Sequence, residues 1–512
     1  MSTTAPSMAT SSSPTPQRLE GKLGVMSIVF MVVAAAAPLT IIVSTPLNML
    51  ASNGAGISFA YFVGPLILLV FAAGYASMSM RIEKAGAFYS YVMAAFGRPA
   101  GVGAGFMALF GYLLFQAFVF ALLGVTTNGM LAGFDSPFNL EWWGWTVISL
   151  ALVAFLGYFN IDLSAKVLAV ALILEVLAVL VIDFAILLQG GGVEGISFTS
   201  IFAPEVVTGG SLPLAIMFGL SVGLGFEATA IFRDEARDPR RTIPRAIYVS
   251  IGSALVFYVF ATWALFQGFG GPAVMDTIAS LDDPTALLFI ASDTFIGPVF
   301  THIVSVLAVT SMFACVLSYH NIAARYLHSL GHTVLPKPLS AVHPKHRSPF
   351  VASFTASIIS ALLFVAVLVA PTDIFTVMQW CIAIGTFAIL LLLLLTAAAI
   401  FTFFRKHPEL REGRWSGTLS PLLSGVAFLF IVVTALMNFG ALSASGDPLV
   451  NIALQAVPFL LFVIGIVVAL ISRRRHPERY EHMHEQTSIT SPVTTVDRAS
   501  VDQPAINQED AR

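Results

Sequence analysis

Apolar runs, each closed by a charged residue or a Gly/Pro cluster, follow one another from about residue 25 to residue 471. They lack the alternation of a half-buried strand and the polar face of a soluble helix, and most approach the ~20 residues a helix needs to cross a bilayer core. The pattern predicts twelve spans, over residues 25–50, 56–80, 102–125, 143–159, 164–188, 212–232, 243–266, 295–320, 350–370, 374–404, 419–442 and 449–471.

Two spans are interrupted near mid-membrane. The first contains Ala34-Ala35-Ala36-Ala37-Pro38-Leu39-Thr40, where Pro38 has no N–H and crowds the preceding turn. The sixth contains Ser221-Val222-Gly223-Leu224-Gly225-Phe226-Glu227, where two glycines weaken the helix. Taken singly, the proline reads as a kink and the glycines as a close packing contact. Taken together, they stand at equivalent places if spans one to five and six to ten are two repeats. Interrupted spans at corresponding positions of two halves point to a transporter's binding site. A half-helix N-terminus there offers free N–H groups to an anion, and freed carbonyls suit a cation.

Composition removes whole classes of function. Of 512 residues, 57% are hydrophobic and 10% charged, against about 25% charged in soluble domains. No soluble enzyme can be surfaced with that supply, and a net charge of −3 gives no basic field for nucleic acid. A membrane enzyme would need His, Asp and Glu clustered at one depth, and no ring-forming filter motif suggests a channel. The charges that exist are informative by position. All 25 Lys and Arg fall on one side of the span map, whereas the opposite loops carry acids such as Asp135, Glu141, Asp276 and Asp447. Basic loops stay cytoplasmic, so both chain ends are expected in the cytoplasm of a multi-pass cell-membrane protein. Residues 1–20 and 476–512 are polar and read as disordered tails, flanking a transporter domain over 21–475 with repeats at about 25–190 and 210–405 and two further helices at about 419–471. Cys315 and Cys381 lie inside apolar runs and read as inert thiols.

The run GFEATAIFRDEARDPRRTIPRAI, residues 225–247, resembles the sixth-to-seventh span signature of the amino acid–polyamine–organocation permeases: a G-F-E run at Gly225, Phe226 and Glu227, then Glu235, Pro239, Ile243, Pro244, Arg245 and Ala246. KAGAFYSYVMAAFGRPAG, residues 84–101, resembles that family's junction of second and third spans. The resemblance implies an all-α LeuT-type fold, a five-plus-five inverted repeat with two C-terminal helices. It also implies secondary transport of amino acids or related amines by alternating access. It maps the substrate carboxylate onto the backbone of Ala35, Ala36 and Ala37, where this chain has alanines and a proline in place of the family's commoner glycine-rich run. It maps amine-facing carbonyls and an aromatic gate onto Val222, Gly223, Leu224, Gly225 and Phe226.

Ionisable residues inside spans are functional candidates because a charge there costs several kcal/mol. Glu175 lies ~16 Å along the fifth span at 1.5 Å per residue. It serves either as the proton-coupling carboxyl or as a protonated hydrogen-bonding group. Glu227, directly after the sixth-span break, serves either the coupling and substrate amine or the unwound backbone. Asp183, nearer the outer end of the fifth span, reads as solvated. His302 and His320 read as packed, as do Gln116, Asn128, Ser311, Ser318 and Trp380, although each of the latter five is a possible cavity wall. His328 and His332 have metal-ligand spacing on a helix, but no neighbouring Cys or carboxylate completes a site, so no metal, cofactor or catalytic residue is assigned. Arg237 and Arg240, in a loop rich in both signs, are assigned to ion pairs that latch a cytoplasmic gate. The expected activity is a proton-coupled amino acid symporter, with protons and the substrate amino acid or amine as partners. The alternatives are an amino acid or polyamine exchanger and a nontransporting sensor.

Overall fold

In lipid a backbone N–H or C=O has no water to pair with, so each apolar run must satisfy its own amides by coiling into a helix. A computed structural model of the chain describes residues 23–52, 54–82, 87–138, 140–159, 165–193, 195–227, 229, 236–343, 348–411 and 413–481, with the side chains of 31, 34–36, 87 and 165–168 excepted. Lys84, Glu235, the end of the sixth predicted span, and the tails at 1–22 and 482–512 lie outside the described residues.

The helices of ten or more residues, in chain order, are α1 (Val25–Ala36), α2 (Pro38–Ser52), α3 (Ile57–Ser79), α4 (Ala87–Phe96), α5 (Arg98–Gly133), α6 (Trp142–Tyr158) and α7 (Ala165–Leu188). They continue as α8 (Leu212–Ser221), α9 (Pro239–Gln267), α10 (Pro298–Thr333), α11 (Phe350–Leu368), α12 (Ile374–Lys406), α13 (Ser420–Met437) and α14 (Pro448–Arg475). Among the described residues nine helices are long and apolar enough to cross a membrane, and α2, α6 and α8 are shorter apolar helices. The shortness of α2 and α8 is the structural form of the two predicted breaks.

Packing pairs the two halves of the chain. α1 lies against α7 and α9, while α8 lies against α3 and α12; α3 meets α9, α5 meets α10, and α6 meets α11. Each element of residues 25–188 thus finds its partner in residues 212–406. α5 is the central post and also carries α4, α12 and α14.

The closest join needs no side chains. A β-carbon built on Gly64 of α3 would fall on the backbone of Gly219 in α8, and one built on Gly219 would fall on the carbonyl of Ala60. This contact sets the depth of α8, and hence of the sixth-span break, against a continuous neighbour.

In these helices the structure departs from the sequence reading. The eighth span does not end near His320 but continues to Thr333, because buried Ala323, Ala324, Leu327 and Leu330 keep one apolar face on the core while Arg325 and His332 face out. Residues 477–481 form a short helix beyond the predicted domain end. Its Arg479 donates to the carbonyls of Gly331 (2.6 Å) and Leu335 (3.0 Å) at the end of α10. Asp183 is not solvated: it is fully buried, and neither carboxyl oxygen has a hydrogen-bond partner.

Candidate substrate and coupling site

The first break is one residue wide. α1 stops at Ala36, Ala37 takes a positive φ of 50°, and Pro38 opens α2. A residue before proline is pushed out of the right-handed helical region, and proline is well placed at a first helical position. An alanine held left-handed stores roughly 1–3 kcal/mol, which the surrounding burial of Ala37, Pro38 and Leu39 sustains.

Glu175 of α7 fills the end of α2 from the side. Its Oε2 accepts the Leu39 N–H at 3.4 Å and the Ser311 hydroxyl of α10 at 2.7 Å. Ser311 in turn lies 3.3 Å from the Thr40 hydroxyl. A carboxylate at a helix N-terminus is electrostatically well placed, and Glu175 is only 5% exposed. Three elements, α2, α7 and α10, therefore meet on one carboxyl group.

The second break is wider. α8 ends at Ser221, residues 222–225 turn, and Gly225 adopts φ 101°, a conformation that favours glycine. The Glu227 carboxylate folds back over this turn. It accepts the Gly225 N–H at 2.8 Å and the Tyr112 hydroxyl at 2.6 Å, while the Glu227 carbonyl accepts from Tyr75 at 3.3 Å. Glu227→Ala would leave the Gly225 N–H and the Tyr112 hydroxyl buried without a partner, at about 1–3 kcal/mol each. The expected result is a lower melting temperature for Glu227→Ala, partly restored in Glu227→Gln, which keeps an acceptor; equal melting of all three proteins would remove the structural role.

Between the breaks lies a cavity of about 110 Å³. Its α2 wall is Thr40, Ile41, Ser44 and Asn48; α5 contributes Tyr112, Phe115, Phe118 and Val119, and α10 contributes Cys315, Ser318, Tyr319 and Ile322. Of the residues assigned from sequence, Val222, Leu224, Gly225 and Glu227 line it. Gly223 abuts Leu68 of α3 instead. Phe226 is fully buried, edge-on to Phe71 and Tyr75 with ring centroids 6.2 and 5.4 Å away, so the aromatic surface toward the cavity comes from Tyr112, Phe115, Phe118, Phe218 and Tyr319. Ala37 is buried at the hinge behind the cavity wall, and the side chains of Ala35 and Ala36 lie outside the described residues. Thr40, Ser44 and Asn48 are the residues that sequence reasoning missed. They recur every four residues, which is one polar stripe along the helix. Asn48 donates to the Tyr61 hydroxyl at 3.2 Å and leaves its Oδ1 without a hydrogen-bond partner.

The cavity has a helix N-terminus on one wall and a helix C-terminus with an interrupted backbone on the other. The chain matches the amino acid permease family model over residues 23–481. The chain belongs to the amino acid permease family. It is 25% identical to the branched-chain amino acid permease BcaP of Bacillus subtilis (strain 168) over 90% of this chain and 94% of that one. It is 24% identical to the aromatic amino acid transport protein AroP of Escherichia coli O157:H7 over 82% and 88%. It is also 26% identical to the low-affinity putrescine importer PlaP of Escherichia coli (strain K12) over 57% and 63%. Among solved structures, MhsT in complex with L-phenylalanine superposes with a TM-score of 0.55 at 15% identity, covering 81% of this chain and 99% of that one. This likeness places the permease in the LeuT-type fold. Family and fold together make it a transporter, not an enzyme.

The loop before α9 closes on the start of α1 through its backbone. Leu23 and Ala236 form a parallel bridge, and the Arg237 N–H donates to the Leu23 carbonyl at 3.0 Å. The Arg237 and Arg240 side chains are exposed. The ion pair among the described residues of this loop is Arg241 to Asp238, at 3.8 Å and largely exposed, a setting worth ~0–1 kcal/mol. Other candidates of the permease resolve into packing. Gln116 donates to the Val316 carbonyl and accepts from Ser360, tying α5 to α10 and α11. Asn128 accepts from Trp145, Trp380 donates to the Ser443 carbonyl, and His320 bonds Ser353. Ser311 and Ser318 belong to the site.

Proposed function

We propose that this permease imports neutral aliphatic amino acids across the cytoplasmic membrane by proton-coupled symport, alternating access between repeats at about residues 25–190 and 210–405, with both chain ends in the cytoplasm. The observation that carries the coupling is the hydrogen-bonded series from Glu175 through Ser311 to Thr40, which ends on the cavity wall. An ionised Glu175 accepts from Leu39 and Ser311 together and holds the first turn of α2. A proton on that carboxyl removes acceptor capacity and loosens the same turn, so proton load and the geometry of the first break change together.

The substrate class follows from the walls. The C-terminal end of α8 favours an ammonium; at the α2 N-terminus Glu175 already takes the Leu39 N–H, so a substrate carboxylate would share that end with it. The side-chain region is bounded by Ile41, Val119, Ile322, Ile382 and phenylalanines. The names of BcaP and AroP support a neutral amino acid. PlaP supports an amine, but both Glu227 oxygens are already engaged by Gly225 and Tyr112, which disfavours a dication.

Proteoliposomes carrying the purified protein, given labelled leucine, distinguish the readings. Accumulation is expected when the outside is acidified relative to the lumen, and none once the gradient is collapsed. Uptake that requires internal amino acid and ignores the gradient would identify an exchanger. Putrescine uptake without leucine uptake would overturn the substrate class, and leucine binding without transport would identify a sensor.

A further inference from the structure

We infer that His328 and His332, near the end of α10, form a two-ligand site for a divalent transition metal that prefers imidazole, such as Cu²⁺, Zn²⁺ or Ni²⁺. The pair lies outside the cavity and the coupling series, and the inference does not rest on the proposed transport activity. His328 is half-buried and His332 exposed. Their Nε2 atoms stand 3.3 Å apart, with the rings nearly perpendicular at 88°. Two nitrogens bound to one tetrahedral metal at ~2.0–2.1 Å lie about 3.3–3.4 Å from each other. The nitrogen separation therefore already matches a tetrahedral chelate such as Zn²⁺ forms, and a tetragonal Cu²⁺ or Ni²⁺, whose cis nitrogens lie about 2.9 Å apart, would draw the two rings slightly together.

The second observation concerns the other face of His328. Its Nδ1 lies 3.2 Å from the Leu339 carbonyl. A carbonyl only accepts, so Nδ1 carries the proton and Nε2 presents its lone pair toward His332. A backbone carbonyl holding the far nitrogen is the outer-shell arrangement that orients metal-bound histidines. With no metal, His332 satisfies the same contact by donating its Nε2–H to His328. On binding, that proton leaves Nε2 and Nδ1 of His332 takes one up, so the ring stays neutral and both Nε2 lone pairs reach the ion with no net proton release. Among the described residues no group of three His, Cys, Asp or Glu forms, so water fills the remaining positions. Two imidazoles and water suit Cu²⁺, Zn²⁺ or Ni²⁺ and not Mg²⁺ or Ca²⁺.

The location gives such an ion something to act on. Gly331 and Leu335 accept from Arg479 of the short helix Pro477–Glu481, and the Tyr89 hydroxyl of α4 lies 2.6 Å from the Ser329 hydroxyl. A bound ion staples successive turns of α10 where α4 and the 477–481 helix dock.

The test uses the full chain in detergent, purified without a polyhistidine tag and titrated with CuCl₂ or ZnCl₂ by calorimetry. One ion per chain is expected, with binding weakened roughly ten-fold or more in both His328→Ala and His332→Ala and unchanged in His343→Ala. The Cu²⁺ spectrum of the unaltered protein by electron paramagnetic resonance should show two imidazole nitrogens, a readout that needs no variant to fold. Absence of saturable binding, binding by either variant as tight as that of the unaltered protein, or a spectrum without two coupled nitrogens would overturn the site.

Discussion

Glu175→Gln is expected to reduce proton-driven amino acid accumulation to simple equilibration while leaving exchange of internal for external substrate in place. A pH difference of one unit is worth about 1.4 kcal/mol per proton, or about ten-fold accumulation at one proton per substrate. Gln has nearly the shape of a protonated Glu and keeps an acceptor for the Leu39 N–H and the Ser311 hydroxyl, bonds that the wild-type carboxyl makes at 3.4 and 2.7 Å. It cannot gain or lose the proton. The two halves of the result therefore separate: the site persists and the coupling goes. Glu175→Ala should behave differently, because it strands the Leu39 N–H at a helix start, at about 1–3 kcal/mol, leaves the Ser311 hydroxyl only its Thr40 contact, and so lowers thermal stability as well. Accumulation by Glu175→Gln at the wild-type ratio would eliminate Glu175 as the coupling group and leave it a cap for α2.

The second large effect is on assembly. Gly219→Ala places a methyl group on the backbone carbonyl of Ala60, and a backbone carbonyl cannot swing aside as a side chain can. α3 and α8 must separate, and with α8 moves the sixth-span break. Overpacking of this kind costs typically 1–3 kcal/mol and occasionally more. We expect a clear fall in melting temperature or in the yield of monodisperse protein. Gly129→Ala is the control: its β-carbon meets nothing within 4 Å, and alanine is the better helix former. A Gly219→Ala protein that melts with the wild type would show that α3 and α8 have slack.

Much of the architecture was legible in the chain because lipid removes choices. An apolar run in a bilayer has one way to satisfy its amides, so run length alone predicts helices. The breaks were legible too, since Pro38 and Gly225 act on the backbone, whose preferences are local. What a local pattern misses is which face a residue shows. Phe226 and Leu224 are two positions apart in the chain, yet Leu224 lines the cavity and Phe226 is locked against Phe71 and Tyr75. Asp183 and Glu175 looked like a shallow and a deep acid. The packing around α7 buries both and provides hydrogen-bond partners for Glu175 alone. The His328–His332 spacing is visible in the sequence, but the Leu339 carbonyl that orients His328 arrives from a short 3-10 turn eleven residues further on.

By itself the sequence determined the class of solvent, the helical content, the positions of the two interrupted spans and, through the G-F-E run and the loop behind it, the family. These depend on chain-local quantities: hydrophobicity summed over a helix length and the backbone limits of proline and glycine. Only the tertiary structure decided that Glu175 caps α2 and reaches the cavity through Ser311 and Thr40, that Glu227 is held by Tyr112 and Gly225, and that the first-span wall runs along Thr40, Ser44 and Asn48. Those contacts join residues up to 271 positions apart in the chain. No periodicity encodes such a pairing; it exists only once α2, α7 and α10 are packed and the low dielectric between them makes every unpaired polar atom costly.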